Sequence, residues 1–86
     1  MASYKVLFKK SAEKELRAVP SYQLPKIIEK IKSLSGNPRP HGSELLKGDE
    51  RYFRVRQNDY RIIYGIDDPA EEIIIIKIGH RREVYK

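Results

Sequence analysis

The sequence predicts an α+β domain: an antiparallel β-sheet with two N-terminal helices packed on one face, in the order β-α-α-β-β-β. Three observations predict it. An opening stretch of alternating apolar residues gives way to two segments with apolar residues at helical spacing. The second half of the chain carries three stretches rich in β-branched and aromatic residues, divided by turn residues. The length, 86 residues, suits one core and one domain over residues 1–86, and a chain this small buries only ~60% of the surface its unfolded form exposes. That leaves room for a surface site, not for an enclosed cofactor crevice.

Taken in order, Tyr4 to Lys9 reads as a first strand with Tyr4, Val6 and Phe8 on one face. Ser11 has the chemistry of an N-cap, and Ala12, Leu16 and Val19 lie at near-helical spacing, so a short helix is expected from Ala12 to Ala18, ending before Pro20. A second helix is signalled from Ser21 or Tyr22, with Pro25 tolerated in its first turn. Its apolar positions Leu24, Ile27, Ile28, Ile31 and Leu34 follow the i, i+3, i+4, i+7 pattern, and its lysines form a solvated face. Ser35 to Gly42 holds two of the five prolines and two of the five glycines and reads as a loop. Leu45 and Leu46 are expected to anchor the chain's return to the sheet before a turn at Lys47-Gly48-Asp49. Asp67-Asp68-Pro69 is a turn, and Glu72 to His80 is a strand whose unbroken Ile73–Ile76 run predicts cover on both faces and a central place.

The stretch Arg51 to Tyr64 folds back on itself at Asn58-Asp59. A two-residue turn there sets Gln57 opposite Tyr60, Arg56 opposite Arg61, Val55 opposite Ile62 and Phe53 opposite Tyr64. Side chains alternate between faces, so Phe53, Val55, Tyr60, Ile62 and Tyr64 share a core face while Arg54, Arg56 and Arg61 share the other. Like charges directly across a strand pair destabilise by up to ~1 kcal/mol. A fold with no use for the cluster would gain by losing one arginine, which points to an anionic ligand, phosphate above all. The plain alternative is the wet side of a half-buried sheet.

Composition bears on that choice. Lys+Arg 18 against Asp+Glu 12 gives a formal charge of +6 and favours a polyanionic partner. With no cysteine there is no disulfide scaffold, thiolate metal site or thiol nucleophile, and a reducing cytoplasm is the expected compartment. The longest apolar run is far too short to span a bilayer, and no membrane association is expected. Neither His41 nor His80 has a carboxylate at metal-ligand spacing, and no phosphate-binding glycine loop or nucleophile elbow is present. No metal or other cofactor is expected. His41 sits among prolines and glycines in a loop, whereas His80 leaves the last strand directly beside Arg81.

FRVRQNDYRIIYGI followed by IKIGHRREVYK, with the YKVLFKKSAEKELRAV opening and the LKG turn, resembles the RelE/ParE superfamily of small toxins from bacterial and archaeal type II toxin–antitoxin modules. The likeness covers essentially the whole chain. It implies a RelE-like fold and, for the RelE branch, metal-free cleavage of mRNA in the ribosomal A site by attack of the ribose 2′-hydroxyl on the adjacent phosphate. The family's catalytic positions fall on Arg54, Arg56, Arg61, Arg81 and Tyr85, with Lys47, Arg51, His80 and Arg82 as further RNA contacts. A RelB-like antitoxin, the ribosome and mRNA are the implied partners, and DNA is met only through the antitoxin. The ParE branch shares the fold and inhibits DNA gyrase instead, generally without this full set of basic and aromatic residues.

One departure concerns the proton. The best-known RelE members carry lysines at the strand positions where this chain has arginines, and arginine stays protonated. Either charge stabilisation and positioning carry the chemistry, or His80 moves the proton. His80 has a second reading as a strand-end residue bonded to backbone, Tyr85 as an aromatic packed on the sheet, and Arg61 as the partner of Asp59 or Glu83.

Overall fold

The alternation at the N-terminus becomes strand β1 (Lys5–Phe8), and a computed structural model describes the chain over residues 3–80. Tyr4, Val6 and Phe8 pack on the core, as their spacing predicts. Helix α1 (Lys10–Arg17) begins two residues earlier than expected, with Lys9 rather than Ser11 at its N-cap and no side-chain cap. The strand-to-helix switch is instead fixed by the Lys9 N–H, which donates to the Ile75 carbonyl at 3.0 Å. A tertiary bond of this kind supersedes local capping chemistry. Ala12 and Val19 are buried. The Pro20 carbonyl then accepts from the N–H groups of Gln23 and Leu24, so Ser21–Gln23 form a turn and helix α2 (Leu24–Gly36) starts at Leu24. Its buried residues, Ile27, Ile31 and Leu34, lie on one stripe, each stabilising the fold by about 1.5–3 kcal/mol through burial.

Three turns separate the remaining elements, of which the first is a short strand: β2 (Glu44–Leu46), β3 (Asp49–Gln57), β4 (Tyr60–Asp67) and β5 (Glu72–His80). The sheet order is β1-β5-β4-β3-β2. All neighbours are antiparallel except β1 and β5, which run parallel with Lys5 opposite Glu72 and Phe8 opposite Ile75. The sheet is therefore mixed rather than wholly antiparallel. The parallel pair are the first and last strands, so a long connection through both helices and three strands joins them. Val55, Ile62, Tyr64, Ile73, Ile75 and Ile78 meet Ala12, Val19, Ile27, Ile31 and Leu34 in one core.

The isoleucine run works differently from expectation. β5 does lie inside the sheet, but Ile74 and Ile76 are half-buried and line a shallow depression with Tyr52 and Gly65 on the helix-free side. A bulge explains the lack of alternation: Tyr64 pairs with Ile75 and Ile63 with Lys77, leaving Ile76 as the extra residue. The bulge resets the phase, so Ile73, Ile75 and Ile78 all reach the core. Leu45, expected as an anchor, is 53% exposed at the edge strand, and only Leu46 is half-buried.

The proline loop after α2 closes the far end of the core. Tyr64 Oη donates to the Pro38 carbonyl at 2.7 Å, and the Arg39 guanidinium lies 5.6 Å from the Phe53 ring centroid. Arg39 Nη2 also meets Asp68 Oδ2 at 2.8 Å, and Tyr4 Oη donates to Asp68 Oδ1 at 2.7 Å. These bonds, Arg39 first, hold the Asp68 carboxyl below its ordinary range. Both partners of the ion pair are about half exposed, so its contribution to stability is small.

Burial pushes the Tyr64 phenol up to about 12. The native state thus keeps a proton that the unfolded chain, with an ordinary value of 10.0, releases. The stability this provides is whole below about pH 10 and declines between about 10 and about 12. Tyr64→Phe should remove this alkaline decline and cost about 1 kcal/mol at neutral pH through the lost bond to Pro38, both read from urea unfolding at several pH values.

Candidate nucleic-acid interface

The β3–β4 hairpin sets the geometry. Asn58 takes the left-handed conformation (φ 55°) that a two-residue turn requires, and asparagine adopts it at low cost. The register matches the sequence reading pair by pair: Gln57 with Tyr60, Arg56 with Arg61, Val55 with Ile62, Phe53 with Tyr64. Because Val55, Ile62 and Tyr64 are fixed in the core, the alternation sends Arg54, Arg56 and Arg61 to the helix-free face.

Two rows cross that face. In the first, Arg56 on β3 faces Arg61 on β4, and Arg61 faces Gly79 on β5. Arg56 is exposed, while Arg61 is only 5% exposed. A guanidinium that buried is a fixed charge rather than one sweeping through solvent, and fixed charge needs no reorganisation when a ligand's charge develops beside it. In the second row, Arg54 lies between Glu44 on β2 and Ile63 on β4. Its Nη2 reaches Glu44 Oε2 at 3.3 Å, and its side chain is 15% exposed. Beyond these rows Tyr52 lies over Gly65, where an added Cβ would stand 3.4 Å from the ring.

The other predicted residues are placed as follows. Lys47 is exposed in the β2–β3 turn, and Arg51 is exposed with its guanidinium 5.2 Å from the Tyr52 centroid. Both lie toward the opposite end of β3 from Arg56, which for Arg51 is roughly 16 Å along the strand. His80 pairs with Tyr60, their rings edge to face at 5.8 Å, and with Glu15, Ala18 and Val19 they line a cleft on the α1 side. The sheet separates that imidazole from the arginine row. Arg81, Arg82 and Tyr85 lie outside the described residues.

Sequence reasoning missed the Glu44 partner of Arg54, because a three-residue edge strand carries too little pattern to register. It missed Gly79 as the neighbour of Arg61, which follows only from the bulge in β5. Among the described residues no group of three or more His, Cys, Asp or Glu is placed to hold a metal ion, and no helix is long and apolar enough to cross a membrane.

Comparison with known proteins supplies the context for this face. The family model described as the ParE toxin of the type II toxin–antitoxin system parDE matches residues 6–85. Toxin RelG of Mycobacterium tuberculosis is 30% identical over 84 residues, covering 96% of this chain and 97% of its own. Toxin RelE3 of Methanocaldococcus jannaschii is 35% identical over 85 residues, covering 94% of each chain. In the crystal structure of the toxin–antitoxin complex RelBE2 from M. tuberculosis, a chain 29% identical superposes with a TM-score of 0.83 over 94% of both chains.

Opposed like charges make a stability test of the site. Arg56→Ala should leave the fold as stable or stabilise it by up to ~1 kcal/mol in urea unfolding, because it relieves repulsion from Arg61. A loss beyond ~1 kcal/mol would show that Arg56 serves the fold instead of a ligand.

Proposed function

We propose that this chain, which belongs to the RelE/ParE family of toxins from type II toxin–antitoxin systems, is a ribosome-dependent endoribonuclease that cleaves mRNA in the A site. The observation that supports this most is the Arg56–Arg61 pair on the helix-free face. Two guanidinium groups directly across a strand pair suit a phosphodiester, whose charge and geometry their forked donors match.

In the proposed reaction the ribose 2′-oxygen forms a bond to the adjacent phosphorus and the bond from phosphorus to the 5′-oxygen breaks. The 2′-hydroxyl gives up a proton and the 5′-oxygen gains one. Negative charge grows on the non-bridging oxygens at the transition state, and arginines held around that point stabilise it more than the ground state. Arg56 and Arg61 take that role from the hairpin, Arg54 supports them, and the family resemblance assigns the same role to Arg81. Tyr85 offers a ring for an unstacked base, worth about 1–3 kcal/mol. None of the arginines can accept the 2′ proton. With His80 set against Tyr60 on the other face, the reading favoured is that this chain contributes charge and positioning while the ribosome orders the mRNA. No metal or cofactor enters the reaction.

The partner that restrains it is a RelB-like antitoxin, as the toxin–antitoxin complex of M. tuberculosis supports, and charge complementarity calls for an acidic segment over the basic face. Contact with DNA is through that antitoxin, and the place of action is the cytoplasm, where translating ribosomes are. The family model bears the name of the gyrase-directed branch, so gyrase inhibition is the second reading.

Primer extension on cellular mRNA after induction of the chain separates the two. Discrete breaks within translated codons are expected; their absence together with gyrase–DNA adducts would establish the gyrase reading. Arg61→Ala and Arg81→Ala should each lower cleavage at least 100-fold while antitoxin binding persists. Full toxicity in both variants would overturn the site.

A further inference from the structure

β5 runs five residues past its last pairing with β1, since β1 ends at Phe8 opposite Ile75. From Ile76 to His80 one edge of the strand has no neighbouring strand among the described residues, and edge N–H groups need partners. Glu15, in the middle of α1, takes the missing strand's place. Its Oε1 accepts from the Ile78 N–H at 2.9 Å and its Oε2 meets Lys77 Nζ at 3.1 Å. Lys77 and Ile78 are the first two residues after the bulge at Ile76.

That location is informative. A bulge makes register locally negotiable, and a slip of one residue turns every later side chain to the other face. With the present register Gly79 stands opposite Arg61, and His80 packs with Tyr60 on the α1 side. A slip would set Ile78 or His80 opposite Arg61, where Gly79 now pairs with it and adds no side chain. The carboxylate fixes the strand at the point where the slip would begin.

We infer that Glu15 is a positioning residue for the arginine site: from the opposite layer of the molecule it locks the register of β5 and so holds Gly79 beside Arg61. The functional part of this inference rests on the ribonuclease reading; the geometric part does not. A glutamine side-chain oxygen can still accept from the Ile78 N–H, so Glu15→Gln keeps the lock, whereas Glu15→Ala removes it. Lys77→Met removes only the ion pair.

The test uses purified full-length chain with programmed ribosomes, alongside NMR of the free protein. Glu15→Ala should lower kcat about tenfold with KM within about twofold, because misplaced catalytic groups reduce turnover more than capture. Glu15→Gln and Lys77→Met should stay within about threefold of wild type. In parallel, Glu15→Ala should speed amide exchange at Ile78 and shift the Arg61 Nε–H resonance, and Glu15→Gln should do neither. Wild-type kcat in Glu15→Ala, or Glu15→Gln as impaired as Glu15→Ala, would overturn the functional claim. An unshifted Arg61 resonance in Glu15→Ala would overturn the geometric one, and it decides that claim even if the wild-type chain cleaves no mRNA.

Discussion

Strand β4 is where the structure has least freedom. A β-strand presents successive side chains to opposite faces, and Ile62 and Tyr64 are both wholly buried against the helices. With those two committed, the directions of Arg61 and Ile63 are set, and through the hairpin register those of Arg54 and Arg56 as well. Moving Arg61 to the other face would bring a charge into the core and expel two large apolar side chains, a penalty of many kcal/mol. The basic face thus inherits its order from the hydrophobic core behind it. This explains how one face of a sheet presents fixed charges: precision comes from packing on the reverse side of a single layer.

Most of this was legible in the sequence because it is local. The Asn58-Asp59 turn and the alternation on either side of it determine the register of β3 and β4 by themselves, and the three arginines follow. The α2 stripe of Ile27, Ile31 and Leu34 is equally local. What could not be read depends on residues far apart in the chain. The parallel pairing of β1 with β5 joins the two ends of the molecule. The start of α1 is decided by a carbonyl on β5 rather than by Ser11. The isoleucine run admits two explanations, cover on both faces or a bulge, and only the partner strand distinguishes them. His80 was ambiguous for the same reason, since its face depends on whether a bulge precedes it.

The two layers also divide the work between them. The helix side holds the apolar core and, at its margin, small polar devices that fix strand ends: Glu15 on β5, and Tyr64 with Arg39 on the proline loop. The bare side carries charge that opposes itself. Like charges set directly across a strand pair work against stability by up to ~1 kcal/mol. Glu44 beside Arg54 shows internal relief at the sheet edge, where a carboxylate meets a guanidinium of the same face.

The pairing of the first strand with the last has a consequence for synthesis. β1 is made before the other strands but has no neighbour in the sheet until Glu72 to Ile75 exist, and β4 lacks one of its two neighbours until the same moment. Contacts that span a whole chain form late and carry a high entropic toll for closure. A nascent copy therefore remains an incomplete sheet until β5 has been made. It gains its arginine row opposite a finished β5 only once the codons for Glu72 to His80 have been read.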